Sequence, residues 1–177
     1  TVLNSQKVEV LEQEYFKIME IMQQDMTEQF RPKIANLEHW FSENAIAELG
    51  RMKMYIDNIC DADVRDFFKL CMVSIIKRVS NADDTSPKPY VSNKVKKVPP
   101  AVTKEFTSVF RRYKQMMTEL SGIEKMGSTR LIEGDALAFQ MPVGIDLAIT
   151  SPPYINAFDY GRTMRLENLW MATLTEE

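Results

Sequence analysis

Four consecutive residues, Ser151-Pro152-Pro153-Tyr154, bring together a hydroxyl, two prolines and an aromatic ring. The Ser151 hydroxyl and the Pro152 carbonyl can each accept a hydrogen bond from an amino group. Each proline fixes its own φ and pushes the residue before it out of the helical region. Acceptors on so stiff a backbone stay where they are put, which is how a reacting amine is positioned. The Tyr154 ring can stack on a flat partner, or it can simply cap a sheet edge. Upstream, Leu147, Ala148 and Ile149 read as a short buried strand bounded by turn signals. The prolines end that strand because they offer no N–H to a ladder. Ser151 and Tyr154 then sit at the carboxyl end of a strand, where open α/β sheets bind ligands.

This stretch resembles the signature of the amino-methyltransferases, which methylate the exocyclic nitrogen of cytosine (N4) or adenine (N6) in DNA. That signature is Ser, Asp or Asn, then Pro-Pro, then an aromatic residue, after an apolar strand. The serine form leans towards N4-cytosine, and Asp or Asn is more usual for N6-adenine. The resemblance implies a catalytic turn of Ser151, Pro152, Pro153 and Tyr154, with S-adenosylmethionine as cofactor and DNA as partner. An exocyclic amine is a poor nucleophile because its lone pair is delocalised, so it must be oriented and its protons accepted. The base must also leave the duplex, and Tyr154 can stack on the flipped ring. In the family an acidic residue after the preceding strand contacts the cofactor's adenine. Asp135, sixteen residues before Ser151 and following Gly134, matches that position. Gly-Asp is also an ordinary turn pair. Beyond the turn, Asn156, Tyr160, Arg162 and a Leu166/Leu169/Trp170 helix are similar to one branch of these enzymes. Tyr160 and Arg162 can line a base pocket or grip DNA, and can equally pack and cap the helix.

The family's Phe-x-Gly-x-Gly cofactor loop is not in the sequence, nor is the acidic residue that holds the cofactor ribose. Only two or three strands can be drawn, those at 130–132 and 147–149 among them. The resemblance therefore implies a piece of a longer enzyme, with weak cofactor binding or none by itself. A non-catalytic DNA- or protein-binding module keeping a methyltransferase remnant, or an RNA methyltransferase, fits the same residues.

The elements that must position the turn are mostly helical. Val8, Leu11, Tyr15, Ile18, Met22 and Met26 recur at three- and four-residue steps, predicting a helix from Ser5, its N-cap, to Phe30. Ile34–Phe41 reads as a short amphipathic segment. Ser42 caps a helix running to Ile59, with Gly50 weakening its middle by roughly 1 kcal/mol relative to alanine. Asp61 or Asp63 caps another, to Ser80, and Val102–Leu120 forms a further one with Phe106, Val109, Phe110, Tyr113 and Met117 inward. The expected architecture is mostly α with a partial α/β unit. A helical region, 1–127, joins an incomplete Rossmann-like methyltransferase region, 128–177.

Between those last two helices, 81–102 is irregular, rich in proline and basic. From Lys88 to Lys114 eight positive residues stand against one negative, while the whole chain carries a net charge of −3. Such asymmetry points to nucleic-acid contact better than net charge does. Lys94, Lys96, Lys97, Arg111 and Arg112, with Arg162, are the candidate phosphate contacts; a solvated linker is the plainer alternative. His39 is the only histidine, without clustered ligands, so no metal site is expected. No apolar run approaches a membrane span, and the start lacks a signal-peptide pattern. Cys60 and Cys71 lack metal-like spacing and read as buried thiols of a reducing, cytoplasmic compartment.

Overall fold

A computed structural model describes residues 5–25, 28–123, 127, 130, 132, 134–135, 138, 143–151 and 159–172. Its helices are α1 (Ser5–Gln23), α2 (Leu37–Trp40), α3 (Glu43–Asp57), α4 (Ala62–Ile76), α5 (Val102–Ser121), α6 (Tyr160–Thr163) and α7 (Arg165–Trp170). α1 packs on α3 and α5, α4 packs on α3 and α5, and α7 lies against α4.

The predicted apolar faces are the ones buried. Val8, Leu11, Ile18 and Met22 of α1 meet Ile46, Leu49, Met52 and Ile56 of α3 in one core. Val64, Phe67, Phe68, Cys71 and Ile75 of α4 and Phe106, Val109 and Phe110 of α5 complete it. Within it Tyr15 stacks on Phe110 with ring centroids 4.2 Å apart, and Phe68 stacks on the same ring at 5.9 Å. Met26 of the expected α1 stripe lies outside the described residues.

Two of the three expected caps are made. Ser42 Oγ accepts from the Ala45 N–H at 3.3 Å, and Asp61 accepts from the N–H groups of Asp63 and Val64. Asp63 is not the cap. It pairs instead with Lys7, which also meets Asp61, tying α1 to the start of α4. Ser5 lies within α1 itself.

α1 is shorter than its periodicity predicts, ending at Gln23 and not Phe30. The reason lies in α3. Arg51 Nη2 donates to the Met22 carbonyl at 2.9 Å, satisfying one of the acceptors a helix end leaves open. The chain then crosses α3 at Gly50, where a Cβ would stand 2.3 Å from the Phe30 carbonyl oxygen. Continuing the helix would carry Phe30 away from that crossing. α4 likewise stops at Ile76, before the expected Ser80.

No strand occurs among the described residues, and the described parts of 130–132 and 147–149 are irregular. Gly144, at φ +83°, turns the chain into 145–151 through a conformation that L side chains rarely adopt. Leu147 and Ile149, expected buried, are 75% and 88% exposed. A strand needs a neighbour for its backbone groups, and no described residue supplies one. Cys71 is buried, but Cys60 is exposed, against the expectation of two buried thiols.

Candidate functional site

Ser151 lies exposed at the end of the irregular segment 145–151. Pro152, Pro153 and Tyr154, with Asn156, lie outside the described residues. On the far side Asp159 caps α6, its Oδ1 accepting from the Arg162 N–H at 3.1 Å. Arg162 reaches back to Asp159 at 3.6 Å and is otherwise open to solvent, as is the Tyr160 ring.

α7 fixes that side of the turn to the helical body. Trp170 is fully buried, edge-on to Phe41 at 5.6 Å and tilted against Phe30 at 6.1 Å. Leu166 and Leu169 share the same core. The anchor carries an unusual passenger. Glu167 is buried, its Oε2 has no hydrogen-bond partner among the described residues, and burial raises its carboxyl above the ordinary value, only partly opposed by a hydrogen bond to its own backbone and by Lys77.

Asp135 is exposed on the other side of the turn, its carbonyl accepting from the Ala138 N–H at 3.0 Å. A Cβ added at Gly134 would meet nothing within 4 Å, so no wall closes over this position among the described residues. Among them, too, no group of three or more His, Cys, Asp and Glu side chains could hold a metal ion. No helix among them is long and apolar enough to cross a membrane.

The basic residues divide into groups. The irregular segment before α5 is held by its own bonds. Asn81 N–H donates to the Trp40 carbonyl at 2.7 Å, and Asp83 N–H donates to the Tyr90 carbonyl at 2.9 Å. Lys97 is the staple of this segment. Its ammonium reaches the carbonyls of Lys77 and Ala82 and pairs with Asp84 at 2.7 Å. Lys94 and Lys96 point outward, Lys96 beside a cavity of about 380 Å³ that His39 and Asn81 also line. Arg111 and Arg112 stand exposed on α5, with Arg112 over the Tyr113 ring at 5.0 Å. These candidates thus belong to different faces: Lys96 with α2, Arg111 with the α1–α5 groove, and Arg162 on α6.

The chain is similar to the Type II methyltransferase M.MvaI of Kocuria varians, 27% identical over 153 residues. The match covers 79% of this chain and 34% of that protein, so the chain spans about a third of the relative's length. That similarity supports a methyltransferase relationship for the chain. No family model matches it, and no solved structure does.

Reading the residues by type alone missed Lys104, which lines a cavity of about 570 Å³ with Arg111. The signal was present: 104, 108 and 111 follow helical steps on a strongly amphipathic segment. Phe16 stands 66% exposed on α1.

Proposed function

We propose that residues 1–177 belong to an S-adenosylmethionine-dependent DNA amino-methyltransferase and carry its amine-positioning turn, acting on N4 of cytosine in preference to N6 of adenine. The observation that carries this reading is the Ser151-Pro152-Pro153-Tyr154 turn within a chain similar to a Type II methyltransferase. Ser151 Oγ and the Pro152 carbonyl accept hydrogen bonds from the exocyclic amine and turn its lone pair away from the ring. Tyr154 stacks on the extruded base and holds its plane. The helical region, 1–127, supplies contacts to DNA, and 128–177 supplies part of the catalytic fold. In this reading the exposed apolar run around Leu147 and Ile149 is a strand of a Rossmann-like sheet and pairs with other parts of the enzyme.

S-adenosylmethionine supplies the electrophilic methyl group. Of the residues on this chain only Asp135 is offered to its adenine, and Asp135 stands open to solvent. Among the described residues, then, no cofactor site is formed.

A second reading, a DNA- or protein-binding module without catalysis, is favoured by the lack of a glycine-rich cofactor loop. The test compares methyl transfer by the complete polypeptide to duplex DNA, single-stranded DNA and RNA, with the methylated nucleosides identified by mass spectrometry. N4-methylcytosine in DNA is the expected product. Transfer to RNA alone gives the RNA-modifying alternative, and no transfer to any of the three gives the binding module.

A further inference from the structure

We propose that the groove between α1 and α5 seats the backbone of a DNA strand, with Lys104, Ser108 and Arg111 on its phosphates and Phe16 against its sugars. This rests on DNA being the substrate and assigns it a place on the helical body.

Two cavities, of about 520 and 570 Å³, run along this groove and share Arg111. Lys104, Ser108 and Arg111 follow at four- and three-residue steps and are all exposed, so they share one face of a rigid helix. From Lys104 to Arg111 the axis rises about 10 Å, which covers about three nucleotide steps of one strand.

The charges in the groove are unequally committed. Lys114 is already paired with Glu12. Glu119, two turns beyond Arg111, accepts from the neutral Gln115 amide at 2.9 Å and keeps its charge. Thr107 is engaged with Tyr15 at 2.8 Å and with the Thr103 carbonyl at 2.7 Å. Lys104 and Arg111 have no ion-pair partner among the described residues, and the neighbouring Glu105 is taken by Arg78 at 3.0 Å. Two cations without partners on one helix face complement a polyanion.

Phe16 adds what a purely ionic surface would lack. Its ring lies edge-on to Tyr15 at 5.4 Å, and Tyr15 is stacked on Phe110 at 4.2 Å. The exposed ring therefore stands on a fixed aromatic stack beside Arg111, with which it lines one cavity. A ligand that alternates charge with flat apolar surface fits this arrangement, as a nucleic-acid strand does.

The test measures fluorescence anisotropy of labelled duplex and single-stranded DNA with the 177-residue chain over a range of salt concentrations. The variants are Lys104→Ala/Arg111→Ala, Phe16→Ala and, for comparison, Lys94→Ala/Lys96→Ala. The α5 pair should weaken binding by about tenfold or more at low salt, and flatten the logarithmic salt slope by about two. Phe16→Ala should weaken binding severalfold with the slope unchanged. Lys104→Gln/Arg111→Gln, with its fold checked by circular dichroism, should repeat the first result. If the chain binds DNA and the α5 pair keeps wild-type affinity and slope, or only the Lys94/Lys96 pair loses them, the groove assignment is wrong and the DNA reading stands. If the wild-type chain binds neither DNA at any salt, the groove assignment falls, and the DNA reading is decided by the methyl-transfer comparison with the complete polypeptide.

Discussion

Glu167 sits where the fold least favours its charge. Its carboxyl is buried, its Oε2 has no hydrogen-bond partner among the described residues, and burial raises its pKa. A raised carboxyl means that the folded chain holds the proton more tightly than the unfolded chain does. Stability is then greatest below the unfolded value, about 4.3 for glutamate. It falls as pH rises from there through the folded value, and the loss is complete above it. Glu167→Gln removes that loss. Thermal melts should show the variant gaining on the wild type as pH rises from about 4, with the gain levelling off above the folded value; parallel curves at every pH would contradict this. The residue scale was also where reading by type worked unevenly. Ser42 and Asp61 were legible as caps because a cap depends on a few neighbouring residues. Lys97 was not legible as a staple, because its partners Lys77, Ala82 and Asp84 meet it only after the loop folds back.

The crossing at Gly50 shows how one element limits another. By helix propensity alone, Gly50→Ala would stabilise α3 by about 1 kcal/mol. The Phe30 carbonyl oxygen, 2.3 Å from the Cβ position, reverses the sign. Backbone cannot swing aside as a long side chain can, so overpacking here should cost about 1–3 kcal/mol. Urea denaturation should place the Gly50→Ala midpoint below that of the wild type, and a higher midpoint would rule out the close crossing. The same contact explains why periodicity overran the end of α1. The apolar pattern continues to Phe30, but Phe30 is spent on the Gly50 crossing and on Trp170, not on another helical turn. Helix existence and inward faces were written locally; helix ends depended on partners distant in sequence.

At the scale of the molecule, a well-filled helical core ends in a segment that has little to pack against. Helices α1, α3, α4, α5 and α7 share one apolar interior, whereas Val143, Ile145, Leu147 and Ile149 lie open at alternating positions. The short apolar run 147–149 between turn signals is what predicted a buried strand. Neither the strand nor its burial occurs among the described residues, because both require neighbours that those residues do not provide. Cofactor binding should follow the same logic. Calorimetric titration of the 177-residue chain with S-adenosylmethionine should show no binding in the micromolar range, and micromolar affinity would contradict the incomplete site. The claim on which the account rests is that Ser151 holds the reacting amine. Its most direct measurement is methyl transfer to duplex DNA by the complete polypeptide carrying Ser151→Ala. The account predicts a loss on the order of a hundredfold with DNA affinity kept; methylation at the wild-type rate would contradict it.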